Sequence, residues 1–148
     1  QLGFHSAVDT EPCQLMWYYL HLIQRVKRPT EYTVVPFLLG GLMIDADDNV
    51  YLLDHELASM RQGRAFIAYF NDNVPKTLIG MERLLTSVEA RKKVLDPLRF
   101  ETLVLGAVYS AYQMRRQTSE DVQQAWGGVL ARLANTTLHD LRTNAISN

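Results

Sequence analysis

The sequence predicts an all-α fold, a compact bundle of five or six helices with one short β-hairpin near residues 42–53. Three observations carry this expectation. Apolar residues recur at helical spacing along several separate stretches, each opened by a capping residue or closed by proline, asparagine or a basic run. Leu103 to Tyr112 is apolar nearly all round, as a helix packed on several sides must be. Only the region around the acidic segment Ile44 to Leu57 has the composition of strands joined by a polar turn.

The first helical segment spans Glu11 to Lys27, with Leu15, Met16, Tyr19, Leu20, Ile23 and Val26 in period behind Asp9 and Thr10, and Pro29 closes it. Its Trp17, Tyr18 and Tyr19 put aromatic rings on more than one face. That suits burial against two neighbours, the simpler use, or an exposed surface that binds another protein. A second apolar run, Tyr32 to Ile44, is opened by Thr30 and interrupted by Pro36, Gly40 and Gly41, which predicts a helix that starts late or kinks at the proline. Asp54 is placed to cap a helix over Glu56 to Phe70, and Asn71 to Pro75 then breaks the chain. A further helix starts near Pro75 and runs through Leu78, Met81, Leu84, Leu85 and Val88 to the basic tail Arg91-Lys92-Lys93. Asp96-Pro97 opens the central helix. Ser119, with Glu120 and Asp121 in the first turn, opens a last helix bearing Val122, Ala125, Trp126, Val129, Leu130, Leu133, Leu138 and Leu141.

A chain of 148 residues with 47% hydrophobic and 21% charged content fits one core, so a single helical domain over 1–148 is expected. The formal net charge of -1 leaves no field to attract nucleic acid or an anionic membrane. The short basic runs Arg25 to Arg28 and Arg91 to Lys93 fall at helix ends, where cations complement the helix dipole. No apolar run approaches the roughly 18 residues of a membrane span.

The most pointed stretch is "IDADDNVYLLDHEL", because Asp45, Asp47, Asn49 and Glu56 fall at positions one, three, five and twelve of a calcium loop. Position six demands glycine for a sharp turn, and here it is the β-branched Val50. No second loop of this kind exists to pair with it. A hairpin explains more of the residues: Leu42-Met43-Ile44 and Val50-Tyr51-Leu52 are strand-prone, and Asp45 to Asn49 is a polar connection.

Other chemistry is thin. His5, His21, His55 and His139 show no metal-ligand spacing, the glycines form no phosphate-cradling pattern, and no activated serine or cysteine is evident, so neither an enzyme nor a cofactor is expected. His139-Asp140 is better read as a surface or capping pair than as a base with its carboxylate. The sole cysteine, Cys13, is either buried as a small hydrophobe or links two chains as a homodimer. Asn135-Thr136-Thr137 is an acceptor tripeptide for a glycan, and a chain starting at Gln1 is either trimmed or one whose leader has been removed, as would suit a secreted protein.

"FLLGGLMID" from Phe37, "VYLLDHELASMR" from Val50, "VPK" from Val74, "FETLVLGAVYSAY" from Phe100 and "LHDLR" from Leu138 resemble, in order and spacing, the motif series of the family with sequence similarity 180. The resemblance covers Phe37 to Arg142. It implies an exported, leader-bearing protein of uncharacterised function with no enzymatic activity attached, and it favours the hairpin and the Asp54 cap over calcium. Two readings of function follow. One is a secreted protein that binds another protein as a ligand or accessory factor; the other is a carrier that holds a small apolar molecule in a cavity of the bundle.

Overall fold

Strands β1 (Leu42–Ile44) and β2 (Val50–Leu52) form an antiparallel hairpin in the computed structural model, which describes residues 41–91 and 95–147. The helix expected over Glu11 to Lys27, with Cys13, Trp17, Tyr18 and Tyr19, lies outside the described residues. Five helices follow among them: α1 (His55–Ser59), α2 (Arg61–Asn73), α3 (Leu78–Ala90), α4 (Pro97–Arg116) and α5 (Glu120–Ser147). The chain is thus mostly α-helical with one short hairpin, as the sequence predicts.

Strand pairing places Leu42 opposite Leu52, Met43 opposite Tyr51 and Ile44 opposite Val50. Alternation then turns Leu42, Val50 and Leu52 inward, where all three are buried. The apolar run that reads as a helix up to Ile44 therefore ends as a strand. Gly41, at φ 95°, precedes it; that backbone region favours glycine, and a Cβ there would lie 3.3 Å from that of Leu53.

The Asp54 cap forms as expected, its carboxylate accepting from the amides of Glu56 at 3.0 Å and Leu57 at 3.2 Å. The single helix expected from Glu56 to Phe70 is instead two. Met60 is extended, closing α1 and opening α2. Gly63 permits the junction: a Cβ on it would sit 1.9 Å from the Leu57 carbonyl oxygen, so only glycine lets the two helices abut. The next helix starts at Leu78 and not near Pro75, because the Thr77 side chain caps it by accepting from the Gly80 amide at 3.0 Å. Asp96 caps α4 in the same way through the Arg99 amide at 2.8 Å, with Pro97 in the first turn.

Helix α4 is the centre of the described residues. Every residue from Leu103 to Ala111 is buried, which an all-round apolar helix achieves only when neighbours cover several sides. Its main partner is α5, which sets Trp126, Val129, Leu130, Leu133 and Ala134 into the core; α3 packs on α5, and α2 on β2. A row of rings crosses the interior: Phe66 to Phe70 at 5.9 Å, Phe70 to Tyr109 at 6.3 Å, and Tyr109 edge-on to Trp126 at 5.8 Å. On the surface Arg132 of α5 grips α3 through Glu82 at 2.6 Å and Glu89 at 2.8 Å, and those hydrogen bonds, Glu89 first, raise its guanidinium pKa.

Candidate functional site

The hairpin is the part of the chain whose attachment differs from its surroundings. Its loop closes on itself first. The Asp45 carboxylate accepts from the amides of Asp47 at 2.8 Å and Asn49 at 3.0 Å, and the Asp45 amide donates to the Asn49 carbonyl at 2.9 Å. Within this turn Asp48 takes the left-handed region at φ 65°. Aspartate tolerates that conformation better than most residues.

Asp48, Asn49 and Val50 then find partners far along the chain. The Asn71 carboxamide accepts from the Val50 amide at 2.9 Å and donates to the Val50 carbonyl at 3.1 Å, so one side chain of α2 satisfies the outer edge of β2 as a third strand would. Lys76 donates to Asn49 and, at 3.0 Å, to Asn71. Asp48 accepts from Gln113 at 3.1 Å and from Arg116 at 3.1 Å, both on α4. Beneath it the buried Tyr109 hydroxyl accepts from Gln113 at 2.8 Å and has its one proton to donate to the Lys76 carbonyl at 3.2 Å or the Asp48 carbonyl at 3.4 Å.

Burial pushes the Tyr109 phenol up to about 12; the Gln113 hydrogen bond opposes this and the Asp48 charge adds to it. At neutral pH Tyr109 is therefore a neutral strut beneath the loop. The sequence motif "LVLGAVYSAY" shows Tyr109 as one more apolar-face residue; the signal for its polar role is the i, i+4, i+7 placement of Tyr109, Gln113 and Arg116 on one side of α4.

The residues of the calcium-loop pattern are dispersed among these tasks. Asp45 is spent on loop amides, Asn49 holds the Lys76 ammonium, Asp47 is exposed, and Glu56 sits in the first turn of α1. Among the described residues no group of three or more His, Cys, Asp or Glu side chains is placed to hold a metal ion. His139 and Asp140 separate as well: His139 is exposed, whereas Asp140 is buried and accepts from the Leu95 amide at 2.8 Å just before α4. The helical spacing of Asp140 from Leu133 and Thr137 marks it as a residue of the buried face, but the Leu95 partner leaves no such signal. Asn135 is exposed on α5.

What this scaffold presents to solvent is apolar. Met43 and Tyr51 face each other on the outer side at 38% and 41% exposure, and Leu53, two residues on, is 55% exposed. An antiparallel sheet with one face on the core ordinarily carries polar residues on the other.

The match of the FAM180 family over residues 27–141 covers most of the chain. The chain belongs to that family. It is similar to human protein FAM180B, 31% identical over 106 residues, which cover 70% of this chain and 58% of that relative's length. No solved structure matches. The hairpin, the Asp54 cap and α4 all lie within the matched span. No helix among the described residues is long and apolar enough to cross a membrane.

Proposed function

We propose that this FAM180 protein is secreted, is not an enzyme, and acts by binding another protein through the outer face of its hairpin. The observation that carries the reading is the exposure of Met43, Tyr51 and Leu53 together on a hairpin fixed by side chains of α2 and α4 and the α2–α3 connection. Large apolar groups on a pre-set frame lose little entropy on docking, and aromatic side chains dominate the energy of such contacts. The exported character implied by the sequence motifs, with the glycan acceptor tripeptide, supports the extracellular setting. The carrier reading draws less support. The described core is filled by Met81, Tyr109, Trp126 and Leu133, and a depression lined by Leu78, Ile79, Glu82, Arg83, Thr86 and Ser87 lies on the outward side of α3.

The test is photo-crosslinking from a benzophenone amino acid placed at position 51 or, as a control, at the apolar and more exposed position 79, with the labelled protein applied to cultured cells. A discrete adduct from position 51, competed by unlabelled protein but not by Tyr51→Ser/Leu53→Ser, is the expected result. Equal adducts from both positions, or competition by the double variant as strong as by the wild type, would count against the hairpin as the contact face.

A further inference from the structure

Asn135, Thr136 and Thr137 lie in the middle of α5, and all three rank low as helix formers, each less favourable than alanine by roughly half a kcal/mol. The two threonines have compensating contacts: Thr136 donates to the Arg132 carbonyl at 2.8 Å, and Thr137 lies at 3.0 Å from the carbonyls of Leu133 and Ala134. Asn135 has none. Asn49, Asn71 and Asn73 each use their carboxamides to hold the fold, whereas that of Asn135 is exposed and bonds to no described residue. Nothing in the packing of α5 calls for an asparagine there.

We propose that Asn135 is a glycosylation site that is filled only before α5 packs onto α4. The proposal rests on the secretory route of the proposed function. In the reaction the Asn135 amide nitrogen attacks the anomeric carbon of a polyprenyl-pyrophosphate-linked oligosaccharide. The new C–N bond forms as the C–O bond to pyrophosphate breaks, polyprenyl pyrophosphate leaves, and the amide proton passes to a base of the transferase. The enzyme must reach the hydroxyl of the third residue of the tripeptide, and Thr137 is 0% exposed in the folded chain. Its hydroxyl is sealed under α5, so the folded protein is no substrate, while the unpacked nascent segment is. Once in place the glycan stands on the outer side of α5, leaning over the preceding turn and the Arg132 grip on Glu82 and Glu89.

The experiment is translation of the full chain behind a heterologous cleavable leader with endoplasmic-reticulum microsomes, leader removal reporting entry. Because the leader is supplied, a missing glycan counts against the acceptor and not against natural secretion. The expected result is one gel shift that peptide-N-glycosidase removes and that Asn135→Gln and Thr137→Val both abolish, Asn135→Gln keeping the wild-type circular dichroism and melting curve. The purified folded chain, offered to detergent-solubilised microsomes, is expected to gain no glycan, and Leu133→Ala, which loosens α5, is expected to gain some. Entry without a shift would overturn the site. Modification of the folded chain as complete as that of the nascent chain would overturn the order of events.

Discussion

The α4–α5 pair and the hairpin both rest on Tyr109, yet they are held by different forces. Between the helices the contact is apolar: Tyr109 of α4 stands edge-on to Trp126 of α5 and Gly106 lies against Leu133, and the stabilisation scales with area whatever the detailed geometry. The hairpin brings Leu42, Val50 and Leu52 into the core, with Ile44 half-buried against it, and a two-stranded hairpin is marginal by itself in water. Its remaining attachments are directional: Asn71 on Val50, Lys76 on Asn49, Gln113 and Arg116 on Asp48. Apolar burial keeps the bundle folded; the hydrogen bonds fix where the hairpin points. A binding face made of Met43, Tyr51 and Leu53 needs the second property more than the first.

The largest effect expected from this division is on the helix pair. Leu133→Ala removes a fully buried side chain from the α4–α5 contact and should lower stability by about 2–5 kcal/mol, read as the urea midpoint or Tm. Because the loss is global, amide exchange should rise across α4, α5 and the hairpin together. Unchanged melting would mean that the apolar contact is not what holds the bundle.

Tyr109→Phe sits where the two regions meet and should have an intermediate effect. The ring contacts to Phe70 and Trp126 survive, but Gln113 and two carbonyls lose a partner, at about 1–3 kcal/mol. The wild type should also show a pH dependence that the variant lacks. The phenol titrates at 10.0 when unfolded and about 12 when folded, so the folded state holds its proton more tightly. Its contribution is complete below the lower value and falls as pH rises through the window between the two; at about pH 11 the loss is about 1.4 kcal/mol. Urea midpoints of both proteins at neutral and alkaline pH measure the difference, and parallel curves would remove Tyr109 from the account.

Much of this frame was legible in the sequence. The limits of both strands follow from short apolar runs around a polar loop, and the Asp54 and Asp96 caps follow because a cap and the amides it serves are neighbours in the chain. The break at Met60 was not legible, since it depends on how close Gly63 comes to the Leu57 carbonyl, a distance that no periodicity encodes. Asn71 reads as a turn residue, yet its amide serves Val50 across 21 positions. Likewise the Asp140 contact with Leu95 spans 45 positions. Side-chain bonds to distant parts of the chain leave no repeating pattern, and the long-range polar attachments of the hairpin are all of that kind. The outward direction of Met43, Tyr51 and Leu53 was hidden for a related reason: alternation separates two faces but does not say which one meets the core.

The smallest change in total stability should be the most informative. Asn71→Asp keeps an acceptor for the Val50 amide and for Lys76, but a carboxylate has no proton for the Val50 carbonyl and sets like partial charges against each other. The expected global loss is about 1 kcal/mol, since one hydrogen bond is lost at a half-buried position. The local consequence should be greater than the global one. With the edge of β2 released, the amides of Val50 and Leu53 should exchange faster at temperatures where that of Leu133 remains protected, and the hairpin would open without the bundle. Crosslinking from position 51 should weaken in the same variant although Met43 and Leu53 beside it are unchanged. If protection of Val50 and Leu133 falls in step, the hairpin and the helices are one cooperative unit, and the aim of the outer face depends on apolar packing after all.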